Sequence, residues 1–261
     1  MRILEIAATG MMAQQTNVEV ISNNIANINT TAFKRGRAEF SDLIYQSQQR
    51  QGTFSSDAGT IVPVGVQVGL GVKPAAVARI TEQGSLQQTG NRLDLALQGR
   101  GFFVVRMPDG TQGFTRTGTF QLSPEGAIVT PEGFELDPGI TLPQDVTDIE
   151  VNRSGEVFAL RPGQDEPELT GRITLATFIN EAGLEAMGDN MFRETLASGQ
   201  PFIGLPGEDG VATMRQGYVE NSNVNVVEEV TDLISAQRAY EMNAKVIETA
   251  DQMSQRIANM R

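Results

Sequence analysis

The hydrophobic pattern of the C-terminal segment repeats with helical spacing. Positions four and three residues apart are apolar or small, except for one glutamine: Val226, Val230, Leu233, Gln237, Tyr240, Ala244, Ile247. A second line continues it: Val246, Ala250, Met253, Ile257, Met260. A period of 3.5 residues is typical of a helix that buries a narrow seam against another helix. We therefore predict an uninterrupted helix over 226–260, about 50 Å long.

Residues 3–28 carry a matching pattern, which predicts a second amphipathic helix about 38 Å long. Its apolar positions share one helical face: Leu4, Ala8, Met11, Val18, Ile21, Ile25, Ile28. Each narrow stripe needs a partner, so we expect the two helices to pair as a coiled coil whose seam is shared between copies of the chain. Gln237 is a polar residue in that seam, and we hypothesise that it sets the register. The alternative is a terminal helix that packs on the core of its own domain.

The segment between the two helices has the pattern of β structure. Residues 35–81 predict an extended linker arm with a polar, Gln/Ser-rich insertion at 46–66. Residues 82–217 contain short strand-like runs separated by turns such as Asp109-Gly110 and Pro131-Glu132-Gly133. We predict an α+β protein: a helix over 1–34, the linker over 35–81, an all-β domain (an irregular sandwich or barrel) over 82–217, and the second helix within 218–261.

Composition removes several classes of function. The chain has no Cys and no His, which excludes disulfides, thiolate catalysis and the commonest general base and metal ligand. Its net charge of −12 argues against nucleic acid or an anionic membrane as a main partner. Most of this charge lies in residues 51–217, and both ends are close to neutral. No run of 18 apolar residues predicts membrane insertion, and the N-terminus lacks the apolar core of a cleaved signal peptide.

Clustered carboxylates provide the main candidate chemistry. They lie in turns rich in Pro and Gly, at Asp165-Glu166-Pro167-Glu168 and Glu208-Asp209. Charged turns of this kind are usually solvated surface, so we predict no enzyme, no catalytic residue, no metal site and no cofactor. A secreted carbohydrate-binding or carbohydrate-active β-protein is the alternative from a different class. The two terminal stripes argue against it, because a binding module has no need of them.

The residues at both ends of the chain resemble a known family. The N-terminal motif consists of Asn23, Asn24, Asn27, Asn29, Thr30, Phe33 and Lys34. The C-terminal motif comprises Gly217–Asn225 followed by Gln237, Arg238, Ala239 and Tyr240. Together with Gly99–Phe103 and Phe114–Phe120, they resemble the bacterial flagellar rod and hook proteins. Ala32 departs from the family, which usually has Gly there. If that position needs a positive φ, alanine is strained, and the turn could be built differently.

The polar insertion followed by Gly65-Val66-Gln67-Val68-Gly69 resembles the distal-rod members rather than hook subunits. The resemblance implies a structural subunit that polymerises with itself into a straight, rigid helical tube and transmits torque to the hook. Its implied partners are proximal rod and hook or junction subunits, with P- and L-ring proteins around the tube. It also implies type III export without a cleaved signal and a periplasm-spanning location in the basal body. A proximal rod or hook subunit is the alternative within the family.

Overall fold

The computed structural model describes residues 2–49, 64–143, 145–163, 166–208 and 210–259. The α+β class predicted from the sequence is confirmed. The chain divides into two compact units. The first, which we call the helical unit, comprises residues up to 26, residues 36–79 and residues from 225 onward. The second, the β unit, comprises residues 27–35 and 80–224.

The helical unit contains both predicted helices. Helix α1 spans Arg2–Ala26 and helix α2 spans Val226–Asn259. Ile28 lies beyond the end of α1, in the turn that follows it, because the helix stops at the Asn-rich segment. The linker of the sequence prediction forms strands that pair in two antiparallel ladders. Strand β1 (Gly36–Asp42) pairs with β4 (Val72–Arg79), and β2 (Tyr45–Gln49) pairs with β3 (Val66–Gly69). Residues 50–63 of the polar insertion lie outside the described residues.

Helices α1 and α2 pack against each other in antiparallel orientation. Near the C-terminal end of α1, the side-chain amide of Asn24 donates a hydrogen bond to Glu229 of α2. Further along, a Cβ added at Gly10 would lie 2.9 Å from Nδ2 of Asn243. Gly10 therefore lowers the helix propensity of α1, but its missing side chain allows Asn243 of α2 to lie close to the α1 backbone. Since α2 has 34 residues and α1 has 25, the last turns of α2 extend past the first residue of α1. Supercoiling of the pair stays a prediction.

In its described residues, the β unit consists of short strands and one 3₁₀ helix, Glu181–Gly183. In chain order the strands are β5 (Leu86–Gln88), β6 (Leu95–Gln98), β7 (Phe102–Arg106), β8 (Gln112–Thr115), β9 (Gln121–Leu122), β10 (Ile128–Val129), β11 (Glu135–Leu136), β12 (Asp148–Val151), β13 (Glu156–Leu160), β14 (Glu168–Arg172), β15 (Leu175–Thr177), β16 (Glu185–Gly188), β17 (Met191–Arg193), β18 (Phe202–Gly204), β19 (Thr213–Gln216) and β20 (Tyr218–Glu220).

Strand β7 organises the β unit. The main sheet of the described residues has the order β16-β17-β8-β7-β11-β10-β9, with β15 also on β7 and β18 on β15. Smaller sheets are β12-β13-β14, β19-β6 and β20-β5. Successive residues of a strand point to opposite faces. Phe103 therefore joins the larger core with Phe120, while Phe102 joins a second core with Phe178. The predicted β content of this region is confirmed, but closure into a sandwich or barrel stays a prediction.

Candidate functional site

A buried cluster of three charged side chains lies in the β unit. Nζ of Lys34 lies 2.5 Å from Oε1 of Glu220, and Nε of Arg116 lies 2.7 Å from Oε2 of the same carboxylate. The three side chains are 6%, 5% and 1% exposed for Lys34, Arg116 and Glu220. Buried charges are costly unless they are paired and hydrogen-bonded. This cluster therefore fixes the positions of three distant parts of the chain relative to one another.

Backbone groups complete the cluster. Lys34 also donates to the carbonyl of Glu82, and Arg116 donates to the carbonyls of Gly99 and Gly101. The carboxylate of Glu220 accepts a third bond, from the backbone N–H of Gly84. Because each charge has several hydrogen-bond partners, the cost of removing it from water is offset. The same bonds hold the three side chains in one defined arrangement.

The environment shifts two pKa values of the cluster. Burial alone would raise the pKa of Glu220, but the positive charges of Arg116 and Lys34 outweigh it and hold that pKa below its ordinary value. For Lys34, burial lowers the pKa and the attraction of Glu220 only partly compensates. Glu220 is therefore ionised at neutral pH and serves as the anion that holds both cations.

The cluster joins the N- and C-terminal motifs of the chain. Lys34 belongs to the loop after α1, and Glu220 ends β20. In the same loop, the backbone N–H of Ala32 donates to the carbonyl of Glu220 at 2.7 Å. Ala32 has a φ of +58° and is buried. The turn thus keeps the positive φ that favours glycine, although this chain has alanine there.

The motif Phe114–Phe120 supplies the third member. Phe114 and Phe120 enter the two hydrophobic cores, and Arg116 between them reaches Glu220. Gly118 leaves room for the backbone, since a Cβ there would lie 1.7 Å from the carbonyl oxygen of Leu95. These residue types are therefore explained by packing and by the ion cluster.

Asn24 has the corresponding role in the helical unit. Its amide donates to the carbonyl of Gly36 at 2.8 Å and to Oε2 of Glu229 at 3.1 Å, and its oxygen accepts from the N–H of Gly36. Asn24 and Glu229 are both buried. One side chain of α1 therefore holds the start of β1 and one point on α2, which fixes the register of the helix pair.

The structure places the predicted seam residues at different depths. Ile21 is buried, and the other N-terminal seam residues are half-buried: Leu4, Ala8, Met11, Val18, Ile25, Ile28. In α2 the half-buried members are Leu233, Ile247 and Ala250. The exposed members are Val226, Val230, Gln237, Tyr240, Ala244 and Met253. The side chain of Ile257, and Met260 of the second line, lie outside the described residues.

The face of α2 that packs on α1 includes residues that the sequence prediction missed. It runs through Glu229, Leu233, Ala236, Asn243 and Ile247, which are buried or half-buried. This line has the predicted spacing but is displaced by three residues and contains two polar positions. Gln237 is exposed in the single chain, so the polar residue that fixes the α1–α2 register is Asn24. The register-setting role of Gln237 stays a prediction.

Two lines of exposed apolar residues remain on α2. Val226, Val230 and Ile234 follow one another at four-residue intervals on its first half, and Met242, Val246 and Met253 lie on its second half. Residues four apart on a helix share a face. The helix thus presents apolar surface on a side that α1 does not cover.

Comparison with known proteins agrees with the motifs. The flagella basal body rod protein model matches residues 4–34, the flagellar hook protein FlgE/F/G D1 domain model matches 96–159, and the flagellar basal body rod FlgEFG C-terminal model matches 215–260. The chain is 55% identical to the flagellar basal-body rod protein FlgG of Caulobacter vibrioides over the full length of both chains. The chain belongs to the flagellar basal-body rod protein family.

Other members of the family are also similar over nearly their whole length. FlgG of Agrobacterium fabrum is 50% identical over 97% of each chain. FlgG of Bacillus subtilis is 35% identical over 100% of this chain and 99% of its own. The N- and C-terminal family models include Lys34 and Glu220, so the buried ion pair connects the two matched segments.

The remaining motif residues serve mostly local roles. The hydroxyl of Thr30 donates to Oδ1 of Asn27, both of which are half-buried, as is Phe33. Asn223 accepts from the N–H of Arg35 and donates to the carbonyls of Ile80 and Glu82. Asn23, Asn29 and Arg238 are exposed, and Ala239 is half-buried.

The described residues contain no group of three or more Asp or Glu side chains placed to hold a metal ion. Asp165 and Asp209, from the two carboxylate clusters, lie outside the described residues. No described helix is long and apolar enough to cross a membrane. The arrangement is chemically suited to holding segments together.

Proposed function

We propose that this chain is a structural subunit of the distal flagellar rod, where copies polymerise into a straight, rigid helical tube that transmits torque to the hook. Membership of the basal-body rod family supports the rod location. The observation that carries the polymer is the exposed apolar surface of α2 beside a helix pair that is already formed within the chain. A head-to-tail contact that does not close on itself generates a helical filament.

The exposed seam residues provide the contacts between copies in this proposal. Val226, Val230 and Tyr240 are 48%, 40% and 44% exposed in the single chain. Completing their burial therefore contributes roughly half of the about 1.5–3 kcal/mol that full burial of a large apolar side chain provides. The seam residues turned toward α1 would hold the pair together, and the exposed ones would meet the next copy. The role is structural rather than enzymatic.

A charge placed on the exposed line tests the polymer. Val230→Asp should abolish polymerisation, because an unpaired carboxylate would be buried between copies. Thr231→Asp adds the same charge to an exposed position in the same turn, outside that line, and should polymerise normally. Both variants should keep the stability of the isolated chain within about 0.5 kcal/mol, since both positions are exposed. Filaments of Val230→Asp, counted by electron microscopy, would contradict the proposal.

The distal assignment implies partners beyond the chain itself. Proximal rod and hook or junction subunits would adjoin the ends of the polymer, and P- and L-ring proteins would surround it. Type III export without a cleaved signal and a periplasm-spanning location belong to the same proposal. Deletion of residues 46–66 should change the shape of the filament while the subunit stays folded. Straight filaments from that deletion would argue for a proximal rod or another subunit type.

An activity assay tests the structural role directly. Purified protein should not hydrolyse peptidoglycan or other glycans. Reproducible turnover that survives Val230→Asp would favour the carbohydrate-active alternative.

A further inference from the structure

Helix α2 carries two exposed methionines on a side that α1 does not cover. Met242 is 69% exposed and Met253 is 53% exposed. With 3.6 residues per turn, these two residues lie within about 40° of each other around the helix axis. Leu233 and Ile247, which belong to the face packed on α1, are turned away from them by about 100° or more. Both sulfurs therefore belong to one outward face of α2.

The rest of this outward face is uncharged. Between residues 235 and 253, the other side chains within about 40° of Met253 are Ser235, Ala239, Val246 and Thr249. The Ser235 hydroxyl donates to the carbonyl of Thr231. The Thr249 hydroxyl likewise donates to the carbonyl of Lys245. The helix itself therefore satisfies both hydroxyls, and the two thioether sulfurs are the oxidisable groups of the face.

Hydrogen peroxide oxidises a thioether by transfer of one oxygen atom. The sulfur lone pair attacks a peroxide oxygen, so that an S–O bond forms and the O–O bond breaks. The departing hydroxide takes the proton from the transferred oxygen and leaves as water. Sulfur is oxidised by two electrons and the peroxide is reduced. The product, methionine sulfoxide, is polar where methionine is apolar, and sulfoxide reductases reverse the reaction.

The methionines of the chain differ widely in their access to solvent. Met107, Met191 and Met214 are buried in the β unit, so peroxide cannot reach their sulfurs in the folded chain. Met12 of α1 is exposed. Met187 of β16 is 45% exposed but lies in the β unit, outside the exposed lines of α2. The chain therefore contains both a protected set and an exposed control.

We propose that Met242 and Met253 are an oxidation-sensitive site. Peroxide converts them to sulfoxides in the free subunit, and the oxidised subunit is then excluded from the polymer. This inference rests on the proposed function, in which the exposed apolar surface of α2 meets the next copy. A flexible thioether adapts to an irregular partner surface, whereas a sulfoxide carries an oxygen acceptor that apolar packing leaves without a donor. Within the polymer, the same packing protects both sulfurs from peroxide.

Partial oxidation of the full-length chain tests the site without any substitution. The purified subunit is treated with hydrogen peroxide to partial conversion, the peroxide is removed, and the sample is allowed to polymerise. Filaments are separated from free subunits by sedimentation. Trypsin cleaves after Arg238, Lys245 and Arg256, which places Met242 and Met253 on separate peptides. Mass spectrometry then gives the sulfoxide fraction of each methionine in the filaments and in the free subunits.

The sulfoxides of Met242 and Met253 should be about tenfold or more depleted in the filaments, because assembly would bury a polar group without a partner. The sulfoxide of Met187 should be equally frequent in filaments and free subunits. Equal frequencies for Met242 and Met253 as well would overturn the proposal and leave the polymer intact. If the untreated chain formed no filaments, the proposed function itself would fail, and this inference with it.

A substitution and a rescue distinguish the sulfoxide from general damage by peroxide. Met242→Gln places a polar side chain of similar length at the site and should lower the yield of filaments about tenfold without peroxide. Met187→Gln, the matched control, should polymerise as the unaltered chain does. Treatment of oxidised subunits with methionine sulfoxide reductases should restore polymerisation. A normal yield from Met242→Gln, or a loss that persists after complete reduction, would contradict the proposal.

Discussion

The two units of the molecule bury their apolar residues to very different extents. The β unit has large side chains with almost no exposure, among them Phe103, Phe114 and Phe120. Among the described residues of the helical unit, the buried apolar side chains are Ala7, Ala13, Ile21 and Ala236. Full burial of a Phe or Ile stabilises by about 1.5–3 kcal/mol, and an alanine contributes much less. We therefore expect the β unit to keep its fold without the helices, whereas the helical unit should depend more on polar contacts and on what covers its exposed faces.

The same contrast applies to buried polar groups. In the β unit, two buried positive charges, Lys34 and Arg116, surround the carboxylate of Glu220. In the helical unit, the side chain of Asn24 donates hydrogen bonds to Gly36 and Glu229. We expect loss of the former to cost more, because unpaired charges in a core cannot reach water.

The largest expected effect comes from Glu220→Gln. It leaves the charges of Lys34 and Arg116 buried without an anion, which should destabilise the β unit by about 3–5 kcal/mol. Lys34→Met should cost less, because Glu220 stays paired with Arg116. Denaturant unfolding with hydrogen exchange on β-unit peptides measures both. A Glu220→Gln protein with an unchanged midpoint would contradict the role of the cluster.

Acid should weaken the β unit through the same residue. The pKa of Glu220 is below its ordinary value of 4.5 in the folded chain, so its contribution is present above that value. The contribution is lost as the pH falls through the lowered folded pKa. As the pH falls from about 5 through the lowered pKa of Glu220, the unaltered chain should therefore lose stability more steeply than Glu220→Gln. Parallel curves for the two proteins would show that another carboxylate controls the transition.

A smaller effect is expected in the helical unit from Asn24→Ala. The variant loses three hydrogen bonds of a buried side chain, which should cost about 1–3 kcal/mol. Hydrogen exchange should accelerate in α1 and α2, with little change in β7. Ser22→Ala, at an exposed position two residues earlier, is the control and should change little. Equal exchange in the two variants would show that the helix pair does not depend on Asn24.

The smallest effect is expected from Ala32→Gly. Relief of the positive φ should raise the free energy of unfolding by about 0.5–1 kcal/mol. Loss of the buried methyl group of Ala32 acts in the opposite direction and reduces this gain. Ala186→Gly on β16, a position without positive φ, should change stability in the opposite direction. A decrease in both variants would show that packing of the Ala32 methyl outweighs backbone strain.

Sequence periodicity located the helices but could not choose the face of α2. Two lines three residues apart share Leu233 and Ile247, and both have helical spacing. The prediction followed the more apolar line. Within the chain, α1 packs on the other line, because Asn24 bonds Glu229 and Gly10 makes room for Asn243. A search for apolar periodicity passes over a helix face that contains polar residues, as this face does at Glu229 and Asn243.

The ion cluster was only partly accessible from the sequence. Lys34 was identified through the family motif, and Glu220 was part of the C-terminal motif, but nothing in either suggested that they touch. The two are 186 residues apart, and Arg116 is 104 residues from Glu220. Charged residues in short motifs are usually solvated, so burial was the missing information.

The sequence by itself determined two long terminal helices, a β-rich middle, an acidic charge and the absence of Cys and His chemistry. These follow from local spacing and composition, which need no knowledge of distant contacts. The tertiary structure alone decided which helix face is covered, that Ala32 keeps a positive φ, and that Lys34, Arg116 and Glu220 meet. The reason is physical: a period fixes which residues share a face, but burial depends on what the rest of the chain places against that face.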